Sequence, residues 1–279
     1  KQFEKNLKPT RYANDIRPRT YSVRDSKAQA AEITSILNEM RQKGFKWSNM
    51  AILYRSHYHS IDIEKNIIAS GIPYRLTSGV GFYEQQHIKD VLSYLRLIVD
   101  PTDELSFKRF ITLFPGIGEA GAQKIWTKVG RAFSPTEPFS RMALSENLPA
   151  KAKAVWPPLE GAMSRAGQRL VNGEHSMIVL DFIQSFYSDY ISREWEGSEA
   201  DDRLAGVKEL ANDIASDKKN LSEYLADIAL MTNLDLKKNN ATSDSITLST
   251  IHQAKGMEWP VVIVPWLSEG MFPNPKAIE

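Results

Sequence analysis

Two hydrophobic patterns divide the chain. In the first, short apolar runs alternate with stretches of helical spacing. Residues 26–44 carry Ala30, Ile33, Ile36, Leu37 and Met40 on one helical face, with Asp25 and Ser26 as N-capping residues and Gly44 as the stop. Met50-Ala51-Ile52-Leu53-Tyr54 predicts a buried strand, residues 60–71 a second amphipathic helix ended by Gly71, and residues 72–77 another strand. Tyr21-Ser22-Val23 reads as a short strand ahead of the first helix. A third helix is expected over about 84–99, with Ile88, Val91, Leu92, Leu95 and Ile98 on one side and Asp100-Pro101 closing it. This alternation predicts an α/β fold with a mostly parallel sheet.

In the second pattern strands disappear. Residues 106–114, 120–129, 176–191, 202–216 and 221–231 all read as helices, with PTEPF (135–139) and AVWPPLEG (154–161) as breaks. Alternation resumes at Ile246-Thr247-Leu248-Ser249 and Val261-Val262-Ile263-Val264, both short, β-branched and expected to be buried. The expected organisation is therefore residues 1–100 as the first part of an α/β domain, 101–244 as an all-helical insertion, and 245–279 as the remainder of the α/β domain. The polar, turn-rich VDPTDE (99–104) and LKKNNATSD (236–244) are read as hinges. There is no internal repeat and no low-complexity segment.

Composition narrows the chemistry. The 279 residues suffice for one large or two ordinary domains, and 42% hydrophobic with 25% charged residues is a globular balance. Lys+Arg 35 against Asp+Glu 34 leaves a formal +1, so a nucleic-acid partner would be held by local patches. The absence of cysteine excludes disulfides and thiolate chemistry and fits a cytoplasmic setting. Histidines at 57, 59, 87, 175 and 252 form no ligand pair, so no metal site is expected. No apolar run reaches the roughly 18 residues of a membrane span. The chain opens without Met and is expected to be an excised piece.

Three stretches carry candidate chemistry. Tyr54-Arg55-Ser56 stands where a buried strand ends, the edge at which α/β sheets collect ligands, so it is either an aromatic and cation for a nucleotide or an ordinary strand end. The connection LSTIHQAKGMEWP (248–260) crowds Thr250, His252, Lys255, Gly256 and Glu258 between two strands, more polar side chains than a solvated loop requires. The spacing GxxxxGK[ST] is absent, so any nucleotide site is completed from elsewhere. Gly116-Ile117-Gly118 opens a helix with Lys124 following, which is either a glycine-rich helix start or a phosphate seat like that of helix-hairpin-helix motifs. Phe182, Phe186, Tyr187 and Tyr190 read as core, and Glu194, Glu196, Glu199, Asp201 and Asp202 as a solvated loop.

Residues 50–101 followed far downstream by ITLSTIHQAKGMEWPVVIVPWLSEGMFP (246–273) closely resemble the second motor half of the UvrD/Rep/PcrA-type superfamily 1 DNA helicases. The resemblance runs from about Tyr21 and is loosest between about 130 and 200. It implies a RecA-like lobe interrupted by a helical insertion, in an ATP-dependent repair or replication enzyme moving 3′ to 5′ with Mg²⁺ at a site built mainly by a separate N-terminal RecA-like lobe. It further implies that Tyr54 stacks on adenine and Arg55 is an arginine finger. Thr250 and His252 would contact single-stranded DNA, Glu258 the ribose, and Lys255 and Gly256 the nucleotide site, while the Gly116–Gly118 turn and Lys124 would touch duplex DNA. Gln85 and His87 depart from the Arg and Glu usual in relatives, and the Arg usual before Gly116 is missing. Such a piece alone is expected neither to hydrolyse ATP nor to unwind DNA. The alternative is a DNA-binding or protein-interaction module that keeps the fold without the motor.

Overall fold

The computed structural model describes residues 17–77, 80–130, 133–238, 244–269 and 271–272, with backbone alone for 233–238. Helix α1 (Ser26–Gln42) starts where the Asp25 carboxylate accepts from the Ala28 N–H at 2.7 Å, and it ends at Gly44, whose φ of +92° only glycine adopts readily. Strand β1 (Met50–Tyr54), a 3₁₀ turn His57–Ser60, α2 (Ile61–Ala69) and β2 (Tyr74–Leu76) follow. After α3 (Gln86–Val99) come α4 (Glu104–Ile111), α5 (Glu119–Val129), α6 (Pro138–Asn147), α7 (Ala150–Lys153), α8 (Trp156–Val171), α9 (His175–Phe182), a π-helical turn Ile183–Tyr187, α10 (Ser188–Glu194), α11 (Gly197–Ser216) and α12 (Leu221–Lys238). Strands β3 (Ile246–Thr250) and β4 (Val261–Ile263) complete the sheet.

The described strands form one parallel sheet in the order β2-β3-β1-β4, with Tyr54 beside Thr250 in the β1–β3 register. The expected α/β architecture with a helical interruption is present. Strand β3, five residues all buried, is central because parallel strands need cover on both faces. Two expectations are corrected and a third is refined. Residues 21–23 form no strand: Tyr21 and Val23 are 49% and 36% exposed and pair with no ladder. The β4 residues are not buried, since β4 is an edge with Val262 turned to solvent. The proline stretches hold the expected breaks, at 135–137 and 154–155, but their later prolines belong to the helices that follow: Pro138 opens α6 and Pro157-Pro158 lie in the first turn of α8, where the N–H that proline lacks has no helical partner anyway.

The core has two parts. An aliphatic one joins Ile33 and Leu37 of α1, Ile63 and Ile67 of α2, and Ile52, Tyr54, Ile246 and Leu248 of the sheet. A larger, aromatic one joins α3 to the helices after it through Tyr94, Phe107, Phe110, Phe114, Phe182 and Tyr187, so Phe182, Phe186, Tyr187 and Tyr190 pack as expected. By packing, α3 goes with the helical body, as do Ile61, Phe82 and Tyr83 ahead of it. The bodies meet at Asp213 of α11. Its carboxylate accepts from Lys65 Nζ of α2 at 2.5 and 2.7 Å, from Tyr83 at 2.8 Å and from Tyr224 at 2.5 Å. The return to the sheet is tied at Asp244, which accepts from the Ser48 N–H at 2.9 Å and from Arg41 at 3.2 Å. Most of the expected hinge LKKNNATSD lies outside the described residues.

Candidate functional site

Strands β1 and β3 end side by side, and the ladder continues one step beyond them: the Ile251 N–H donates to the Tyr54 carbonyl at 2.9 Å. That bond sets the start of the 251–260 connection against Arg55. The chain then turns tightly. The Thr250 hydroxyl accepts from the Gln253 N–H at 3.3 Å, the Ala254 N–H donates to the Thr250 carbonyl at 3.0 Å, and Ala254 is buried as the anchor.

A cavity of about 280 Å³ opens at this edge. Arg55, Thr250 and His252 line it together, with Ser56, His57 and Tyr58 from the turn after β1, Gln85 and His87 at the start of α3, and Glu199, Asp202, Arg203 and Gly206 from α11. The site is thus made by both bodies, at the carboxyl ends of parallel strands where ligands collect. Burial shapes its charge. Desolvation pushes the His57 imidazole below its ordinary range, opposed by the Asp202 carboxylate. Desolvation, then the Arg203 and His57 charges, push His87 down to about 3. Both rings are therefore neutral near pH 7, and the fixed cations are the two guanidiniums.

The remaining expected residues fall elsewhere. Tyr54 is fully buried in the aliphatic core with its ring centroid 6.0 Å from that of His57, so it offers no free face to an adenine in this lobe. Arg55 shares the cavity with Thr250 and His252, whereas Lys255, Gly256 and Glu258 are exposed on the far part of the connection and do not line it. Gly256 has a φ of +86°. Gly116, Gly118 and Lys124 are exposed around the start of α5, but Ile117 is an anchor, buried in the aromatic core with its N–H on the Phe114 carbonyl at 3.2 Å. None of these four lines the cavity. Glu119 sets a carboxylate in the same first turn.

Sequence reasoning missed the far wall. Glu199 and Asp202, expected in a solvated loop, stand on α11, and Arg203 was assigned nothing. The one available signal was Gly206, a glycine inside a helical pattern, which flags a close approach. A Cβ there would meet His87 Nε2 at 2.9 Å.

The profile of the UvrD-like helicase C-terminal domain matches residues 1–143 and 161–279. The chain belongs to that family. It is similar to the ATP-dependent DNA helicase PcrA of Staphylococcus epidermidis, 29% identical over 272 residues covering 93% of this chain and 36% of that protein. PcrA of Bacillus subtilis is 29% identical over 248 residues, covering 84% and 33%, and PcrA of Staphylococcus aureus 26% over 272 residues, covering 93% and 36%. The chain spans about a third of the length of these relatives. As a UvrD-like helicase C-terminal domain it combines a RecA-like sheet lobe with a helical insertion. No helix among the described residues is long and apolar enough to cross a membrane.

Proposed function

We propose that this UvrD-like domain is the second motor lobe and helical insertion of an ATP-dependent DNA helicase, and that the cavity at the ends of β1 and β3 seats a phosphate of the single strand. One observation carries the reading: Arg55 and, nearly two hundred residues later, Thr250 and His252 line one cavity. A guanidinium, a hydroxyl and an imidazole are the donors a phosphodiester takes. Arg55 lines this cavity beside Thr250 and His252, and its other reading is an arginine finger reaching the nucleotide of the facing lobe.

The outer part of the same connection is assigned to the nucleotide. The Lys255 ammonium suits a phosphate, the Glu258 carboxylate suits ribose hydroxyls, and both are exposed beside Gly256, whose φ is +86°. ATP supplies the phosphoryl group whose loss powers movement, held in the proposal mainly by a separate N-terminal lobe that also binds Mg²⁺. Among the described residues no three acidic or histidine side chains gather as a cation site, so none is assigned to the metal. Thr250 and Lys255 lie five residues apart on a turn bolted to β1, so a shift at the nucleotide side moves the strand side. Unwinding direction, 3′ to 5′, and duplex contact by the Gly116–Gly118 turn and Lys124 remain parts of this proposal.

The test compares full-length protein with its Arg55→Ala and His252→Ala variants. Each is expected to weaken oligothymidine binding about tenfold while leaving DNA-independent ATP hydrolysis within twofold of wild type. Loss of hydrolysis with unchanged DNA affinity in Arg55→Ala would instead establish an arginine finger and overturn the strand assignment.

A further inference from the structure

The far wall of the cavity contains a cation for which the strand reading has no use so far. Arg203 projects from α11, and its side chain is 23% exposed. Its guanidinium lies over the Trp195 ring, 4.3 Å from the centroid, which fixes its plane. One terminal nitrogen donates to Glu199 at 2.6 Å, and the other faces His87 Nδ1 at 3.3 Å. The Nε–H is buried and has no partner among the described residues.

That is a poor set of acceptors for a largely desolvated guanidinium. The Glu199 carboxylate is 60% exposed, so its pair with Arg203 is screened and readily exchanged. The His87 ring is held neutral, so it offers a single lone pair and no compensating charge. A buried donor without an acceptor is costly, and a guanidinium is relieved best by an oxyanion that takes two donors at once. The wall also stands unusually near: α11 presents Gly206 to His87, where any side chain would collide.

We propose that Arg203 is a second phosphate-binding residue of the strand cavity, contributed by the helical body, and that Glu199 holds its guanidinium until the strand arrives. The seat is then composite, closed only when α11 lies against the ends of β1 and β3. The proposal rests on the reading of the cavity as a strand seat. The ligand is the phosphodiester backbone of single-stranded DNA, and no base is read.

The experiment measures oligothymidine affinity of the full-length protein by fluorescence anisotropy across a potassium chloride series. Arg203→Gln is expected to weaken binding about tenfold at low salt and to reduce the slope of log affinity against log salt by about 0.7, the value of one phosphate contact on a single strand. Arg203→Lys is expected to keep the slope. Arg55→Gln, run in parallel, reports on the seat itself. If Arg55→Gln lowers the slope and Arg203→Gln leaves it unchanged, with or without lost affinity, Arg203 is structural and the inference falls while the strand seat stands. If neither changes the slope, both fall. Glu199→Gln covers the case in which Arg203→Gln fails to fold: this exposed substitution is expected to tighten binding two- to threefold, and unchanged affinity overturns the proposal.

Discussion

The sheet body and the helical body solve the same packing problem with different side chains, and they depend on each other differently. Around the sheet the core is a dozen mostly aliphatic residues whose strands give it shape, whereas the helical core is held by stacked rings such as Tyr94 on Phe182 at 4.3 Å. The smaller body carries most of the candidate chemistry, and the larger one supplies a wall to it. A candidate site walled by both bodies is only as well formed as the contact between the two.

Asp213 is where that contact is most exposed to attack. Asp213→Ala removes the acceptor for Lys65, Tyr83 and Tyr224 and leaves a partly buried ammonium unpaired, at a cost of about 3–5 kcal/mol. Urea unfolding followed by tryptophan fluorescence, which samples Trp126 and Trp156 in the helical body and Trp47 beside the sheet, should change from one transition to two. A single transition at the wild-type midpoint would mean that the bodies are not coupled through this carboxylate.

The next effect separates the bodies by pH. His59 is buried in the sheet body's outer turn, stacked on Trp266 at 5.4 Å, and desolvation and then the Arg55 charge hold it down from 6.5 to about 4. The unfolded chain therefore binds a proton between about pH 6.5 and 4 that the folded one refuses, so stability is greatest above pH 6.5 and falls as pH drops through that window, on the order of 2–3 kcal/mol. His87 extends the decline toward about 3. His59→Phe keeps a ring against Trp266 and should flatten the upper part of the profile in thermal melts; an unaltered profile would reject His59 as its source.

Smallest is the close approach between the bodies. Gly206→Ala forces a methyl against His87 Nε2 and should cost about 1–2 kcal/mol. In a His87→Ala background the same change should cost less than half as much, because the collision is gone. Equal costs in both backgrounds would place the strain elsewhere.

How much of this was legible follows the same division. Asp25, Gly44, the Met50–Tyr54 run and the Ile246–Thr250 run announce themselves locally, by capping chemistry and by apolar runs of strand length. The break at AVWPPLEG was legible, but the place of Pro157-Pro158 inside α8 was not, because a proline's meaning depends on whether a helix is starting or already under way. Thr250 and His252 stood out in the sequence, but their partnership with Arg55 is made by a parallel register that no local pattern encodes. Tyr54 closes a run read as a buried strand, but the enclosure of its ring depends on the packing of α2 and the sheet around it. Arg203 was silent because one arginine on an exposed-looking helix carries no signal until the opposite wall is present.

The strand order has a consequence for synthesis. Strand β3 lies between β2 and β1, yet the paired positions Ala51 and Thr247 are separated by the whole insertion and by α2, β2 and α3 before it. As the chain leaves the ribosome, β1 and β2 emerge early with a gap one strand wide between them and no ladder partner in either. The aromatic body follows, and by folding it draws the two ends of its own sequence together and shortens the loop that β3 must close. The sheet that bears most of the candidate chemistry is thus completed only after the body that walls it has been made.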